Sequence, residues 1–320
     1  MKFHTNILQI DSEAEVDRIC SFIQQQVAMT KRDGVVIGLS GGIDSALCAE
    51  LCFKALNSHN VLGLILPERE SNPISAEYAS VQAQKMGLNT VTIDISSTLE
   101  GFGTYKKRDE VVKEIYPDYN DQCKFKIVLP SDLLSRDAFN FFTLKIEDRN
   151  GNVISNRLDN QSMRRIVAAT DTKQRTRMMF LYYYAEMNNY LVCGTTNKSE
   201  VIQGFFVKYG DGGVDIEPIA HLYKTQVYQL SRHLGVIDEI IERAPSPDTF
   251  NFQVTDEEFY FRMPYEKLDL LLYAWENNVA LTEVCEALSL TEEQIRRAFR
   301  DFTSKYNATK HLRVLPPTLD

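Results

Sequence analysis

Residues 40–45, SGGIDS, bring two hydroxyls, two adjacent glycines and one carboxylate into six positions. Glycines let a backbone close tightly around an anion, and a helix starting just beyond would aim its partly positive N-terminus at the same point. With Ser40 and Ser45 donating to phosphate oxygens, Ser40, Gly41, Gly42 and Ser45 read as a polyphosphate cradle. It is not the G-x-x-x-x-G-K-[ST] loop, because it holds no lysine. Asp44 stands there instead, and a carboxylate beside phosphates calls for a magnesium bridge. The bland alternative is a tight turn with no ligand.

Such a loop needs a strand before it and a helix after it. VVIGLS (35–40) is a continuous apolar run of the kind buried on both faces, and the segment after SGGIDS puts Leu47, Leu51 and Ala55 on one helical stripe. VLGLILP (61–67), a helix over 75–86 stopped at Gly87, TVTIDI (90–95), a helix over 173–188 and YLVCGT (190–195) continue the alternation. An amphipathic helix precedes it, with Val16, Ile19, Cys20, Ile23 and Val27 at helical spacing. Strands alternating with helices predict an α/β fold, a doubly wound parallel sheet with flanking helices, whose ligands sit beyond the carboxyl ends of the strands. SGGIDS and the segment 195–200 both start at such ends.

The pattern weakens over 101–166, where FFTLKI, EDRNGN and VIS suggest a hairpin turning at Asn150-Gly151. Beyond 235 the chain passes through APSPDTF into short helices, including the capping-box pair Thr291 and Gln294. This reads as an α/β unit over 1–250, with 101–166 a variable insertion, and a helical region with a basic tail over 251–320 packed on the same domain. The pair 280–290 and 291–302 has two readings: a DNA-binding helix-turn-helix presenting Arg296, Arg297 and Arg300, or an ordinary helical hairpin with a solvated basic face.

SGGIDS resembles the S-G-G-x-D-S pyrophosphatase loop of enzymes that split ATP into AMP and pyrophosphate, among them NAD, GMP and asparagine synthetases and tRNA-thiolating enzymes. GTTNKSE (194–200), GFFVKYGDGG (204–213), LYKTQVYQL (222–230) and HLGV (233–236) follow in order, and together they closely resemble the ammonia-dependent NAD synthetases. The resemblance implies an adenine-nucleotide alpha-hydrolase-like fold and an ATP- and magnesium-dependent ligase. Such an enzyme adenylates a carboxylate, nicotinate adenine dinucleotide in that family, and amidates it with ammonia. Carried over residue by residue, it makes Asp44 and Glu200 the magnesium ligands, Lys224 a catalytic cation, and Thr195, Lys224 and Ser246 ATP contacts. Arg175, Phe205, Lys208 and Asp211 match the dinucleotide-binding stretch, and His311 in KHLR (310–313) matches the tail that closes over it. It also implies a homodimer. No cysteine signature for glutamine hydrolysis accompanies these motifs, so free ammonia or a separate donor is the expected nitrogen source.

Where the family has aromatic rings around the nicotinate, this chain aligns Gln26 and Val167. That departure, with the long 101–166 segment, opens a second reading: the same chemistry on a different carboxylic acid. A tRNA sulfur transferase would want paired cysteines and a basic tract. Cys20, Cys48, Cys52, Cys123, Cys193 and Cys285 form no C-x-x-C pair, and the net charge of −9 disfavours a partner with many phosphates to neutralise. A silent nucleotide-binding module is the remaining alternative. No apolar run approaches the roughly 20 residues of a membrane span, and the acidic start lacks a signal-peptide core. The expectation is a cytoplasmic protein with reduced thiols and neither nucleic acid nor membrane as partner.

Overall fold

The fold was analysed in a computed structural model, which describes residues 2–130, 132–135 and 141–319. Helix α1 (Ser12–Thr30) is capped by Asp11, whose carboxylate accepts from the Ala14 amide. Strand β1 (Gly34–Gly38), α2 (Ile43–Leu56), β2 (Val61–Ile65), α3 (Pro73–Met86) and β3 (Asn89–Thr92) follow. Helices α4 (Ser96–Phe102) and α5 (Thr104–Ile115) lead to β4 (Lys124–Val128), β5 (Thr143–Glu147) and β6 (Val153–Arg157). The 29-residue α6 (Asn160–Asn188) returns the chain to β7 (Tyr190–Cys193). Then come α7 (Lys198–Gln203), α8 (Lys224–Leu234), α9 (Asp238–Ile241), a π-turn at Glu257–Phe261, α10 (Tyr265–Glu276), α11 (Leu281–Leu288) and α12 (Glu292–Ala308).

The main sheet is parallel, in order β3-β2-β1-β7, with Val36 of β1 registered between Leu62 and Val192. Alternation along β1 divides its side chains between two cores. Val35 and Ile37 pack with α1, α2, α3 and α8. Val36 packs with residues of α4, α5 and α6 on the other face. Helices cover both faces, as a run of apolar residues without polar alternation requires. The order reverses between β1 and β7, which makes their carboxyl ends the switch point where such sheets hold ligands.

A second sheet, β4-β5-β6, is antiparallel and builds its own core with Val111 and Val112 of α5, Ile166 of α6, Phe250 and Val254. The expected hairpin is present as β5–β6. Its turn is a five-residue loop tied by Asp148, which accepts from the Asn150 and Asn152 amides, and only Gly151 takes a positive φ, 80°. The helix expected over 173–188 begins thirteen residues earlier, because Asp159 caps it through the Gln161 and Ser162 amides. The C-terminal helices share a core with Phe3, Leu8, Ile202 and Tyr223. Thr291 and Gln294 form the expected capping box. Arg296 and Arg297 pair with Glu292 and Glu293 on their own helix, and Arg297 turns inward to the Leu134 carbonyl, as in an ordinary helical hairpin. Among the described residues, no helix is long and apolar enough to cross a membrane.

Candidate active site

Glycine is obligatory at one point of the SGGIDS turn. Gly41 sits at φ +72°, and a Cβ there would fall 2.1 Å from the Ser75 carbonyl oxygen. The Ser40 hydroxyl accepts from the Gly42 amide at 3.2 Å and lies 3.0 Å from the Ser45 hydroxyl, while Ser45 donates to the Gly42 carbonyl. Gly42 starts α2 without a side-chain cap, so the first turn keeps amide donors for an anion. The loop forms one wall of a cavity of about 610 Å³.

Lys224, the first residue of α8, reaches Asp44 at 2.5 Å and Glu200 at 3.8 Å. Its backbone is fixed from below. Asp269 is buried and accepts from the Ser199 hydroxyl at 2.6 Å and the Thr225 amide at 2.7 Å, and Ser199 in turn accepts from the Lys224 amide. Asn197 donates to Asp44 at 3.0 Å and closes a capping box with Glu200 at the head of α7. Burial opposes the lysine's charge, but Asp44 and Glu200 more than compensate and hold its pKa above the ordinary value. Burial, then repulsion from Asp44, pushes Glu200 well above the carboxylate range. Burial likewise pushes Asp256 up to about 6. Tyr265 donates to one Asp256 oxygen, and the other, buried, has no hydrogen-bond partner.

Three carboxylates around one lysine leave an excess of negative charge that a further cation would relieve. Asp44 and Glu200 offer the hard oxygens a hydrated divalent ion takes while it keeps water and phosphate as its other ligands. No cluster of three or more His, Cys, Asp or Glu among the described residues forms a ready-made metal cage. A two-carboxylate site completed by substrate phosphates fits this donor set.

The same cavity carries Thr195 at the end of β7, Ser246 in the APSPDTF loop, and Arg175, Phe205, Lys208 and Asp211. Arg175 donates to the Lys208 carbonyl, and the Lys208 ammonium to the His311 carbonyl, which draws the C-terminal tail to the rim. His311 itself does not line the cavity; its neighbour Leu312 does. Asp211 opens onto the cavity and accepts from the Val207 amide at 2.9 Å.

Of the two positions aligned with the family's rings, Gln26 lies on α1, outside the lining of this cavity, and the hairpin tip 148–152 is also outside it. Val167 does line the cavity, but the region does not lack aromatic walls. Phe142 just before β5, Phe250 and Phe259 join Phe205, which stacks on Tyr260 with ring centroids 4.9 Å apart. Alignment to family positions missed these rings because other segments supply them. Four more were missed: Asp256 and Asp269 carry no short motif with recognisable spacing, and Asn197, though inside GTTNKSE, and Arg177 take their roles only from contacts with remote segments.

The NAD synthase family model matches residues 15–126 and 133–316. The chain is 43% identical over 311 residues to the NH(3)-dependent NAD(+) synthetase of Mesorhizobium japonicum, covering 97% of each. It is 34% identical over 306 residues to that of Methanocaldococcus jannaschii, covering 96% of each. A solved structure of the Campylobacter jejuni NH3-dependent NAD synthetase, in complex with the nitrate ion, superposes with a TM-score of 0.64 at 26% identity. That alignment covers 98% of this chain and all of the other. With its phosphate loop at the switch point of the sheet and relatives aligned along nearly its whole length, the chain belongs to the NAD synthase family.

Proposed function

We propose that this chain adenylates the carboxylate of nicotinate adenine dinucleotide with ATP and amidates it with ammonia, yielding NAD, AMP and pyrophosphate. The observation that carries the reading is the continuity of one cavity from the SGGIDS loop and the Asp44–Lys224–Glu200 group to a cationic, aromatic-walled end at Arg175, Lys208 and Phe205. The names of the full-length relatives support the choice of acid and nitrogen donor.

In this reading the loop amides and the Ser40 and Ser45 hydroxyls bind the phosphates, with Thr195 and Ser246 completing the nucleotide site. Asp44 and Glu200 would hold magnesium, which supplies positive charge to the phosphates. Lys224, kept protonated by its two carboxylates, adds a fixed charge beside the α-phosphate. Arg175, Lys208 and Asp211 hold the dinucleotide so that a carboxylate oxygen meets the α-phosphorus as the bond to pyrophosphate breaks. The nitrogen of ammonia then attacks the acyl carbon, AMP departs, and one proton is released. Positioning is the chain's main contribution.

The exposed stripe Met179, Tyr183 and Met187 along α6 supports a homodimer packed on that helix. Five of the six thiols are buried and all are free, in keeping with work in the reducing cytoplasm. The purified chain with ATP, magnesium, nicotinate adenine dinucleotide and ammonium should form NAD and AMP in equal amounts, read by chromatography. Glutamine alone should give neither. Turnover with glutamine after ammonia has been scavenged, or turnover only with another acid, defeats the reading.

A further inference from the structure

Several buried cations among the described residues are paired with carboxylates. Lys173 meets Glu68 and Glu70, both at 2.8 Å, and Arg108 meets Glu70 and Asp109. Lys224 meets Asp44 and Glu200, and Lys305 meets Asp301. Arg177, on the cavity wall, differs: among the described residues no carboxylate lies within salt-bridge distance of it, and its partners are neutral oxygens. Nε donates to the Leu66 carbonyl at 3.1 Å, Nη1 to the Gln174 amide oxygen at 3.2 Å, and Nη2 faces the Ser71 hydroxyl at 3.5 Å.

A guanidinium carries five N–H donors in a fixed fork, so these contacts leave donors unspent. A half-buried charge whose nearest carboxylates, Glu68, Asp248 and Asp211, act on it only from a distance is incompletely compensated, and an anionic ligand would supply the missing contact. The placement says which anion. Leu66 follows β2, the strand beside β1, and Ser71 precedes α3, whose Ser75 carbonyl presses on Gly41 of the phosphate loop. Arg177 therefore stands on the wall of the same cavity as SGGIDS, at the end of the strand next to β1. Arg175 lies two residues away, a spacing that does not share a helix face, and bonds toward Lys208. The two arginines thus serve different sectors.

We propose that Arg177 is a ligand of the ATP phosphate chain, completing the polyphosphate site together with the SGGIDS loop. The assignment rests on the proposed use of ATP. A structural clamp on the Leu66 carbonyl is the competing role, and binding measurements separate the two. Arg177→Gln keeps an N–H for Leu66 and removes the charge. It should weaken magnesium-ATP binding, measured by calorimetry without the acid, by about tenfold or more, with a parallel fall in ATP–pyrophosphate exchange. The KM of the acid should stay unchanged. Arg177→Lys, a point charge without the fork, should fall between. A folded Arg177→Gln chain that binds ATP and exchanges pyrophosphate within twofold of wild type overturns the proposal, as does a loss confined to the acid's KM. If Arg177→Gln does not fold, Arg177→Lys decides: ATP affinity within twofold of wild type overturns the proposal. A wild-type chain that binds no ATP overturns the functional reading itself, whereas normal wild-type binding beside an indifferent Arg177→Gln removes only the arginine's role.

Discussion

The two ends of the cavity are built on opposite plans. The SGGIDS end gathers charge into one group: Asp44 and Glu200 follow β1 and β7, and Lys224 and Asp256 join them from later segments. The acceptor end carries Arg175 and Lys208 but is walled mainly by single apolar side chains from remote segments, Phe142, Val167, Phe205, Phe250 and Phe259, and its character is chiefly shape. Charge placed in a poorly solvated site is unforgiving, because removing one member leaves the others uncompensated. A wall of rings is tolerant, since each ring contributes modest stacking beyond the area it buries. The difference teaches where function should be brittle and where specificity can drift.

The contrast breaks first at the carboxylates, if it is wrong. Asp44→Asn and Glu200→Gln should each lower pyrophosphate release by about 100-fold or more, roughly 3 kcal/mol. Near-normal turnover of either variant at saturating magnesium would remove these groups from the chemistry.

Glu217 tests the cost of charge by stability. It accepts from the Thr196 amide, and burial pushes it from 4.5 up to about 8. Between those values the unfolded chain has already lost the proton that the folded chain retains, so its contribution to stability falls as pH rises from about 5 to 8 and levels off above. Partial exposure to solvent reduces the full value of such a shift to about 2 kcal/mol. Glu217→Gln should flatten that fall, measured by urea denaturation at pH 5 and pH 8.5. Parallel losses in both proteins would show that Glu217 carries no such penalty.

At the acceptor end the expected effects are smaller. Phe205→Leu keeps most of the volume and removes the ring, so the KM of the acid should rise several-fold, about 1 kcal/mol, while the KM of ATP stays put. An equal change in both would merge the two ends into one. Smallest of all, trimming the loop 148–152 should leave both constants within twofold of wild type. A shift in acid preference there would return the exposed hairpin tip to the specificity pocket.

Legibility followed the same division. SGGIDS, the buried runs of β1, β2 and β7, and the capping pair Thr291–Gln294 are local: neighbouring residues set the turn, the strand or the helix start, and a chain without its fold still displays them. Helix α5 was harder to see because its buried set, Tyr105, Arg108, Val111 and Val112, includes an arginine, whose burial makes sense only once Glu70 arrives from 38 residues away. Strand β4 hides the same way: Lys126 is buried because it donates to Glu258 and the Gln253 carbonyl.

By itself the sequence determined the phosphate loop, the parallel α/β plan and, through its motifs, the family. Only the tertiary structure decided which rings wall the cavity, that Gln26 stands outside its lining, and that Arg177 faces it with no carboxylate of the described residues in salt-bridge reach. Turns, caps and strand runs are written in adjacent residues, whereas a pocket wall or a missing counter-charge is a relation between segments that meet only after the cores on both faces of the sheet have closed.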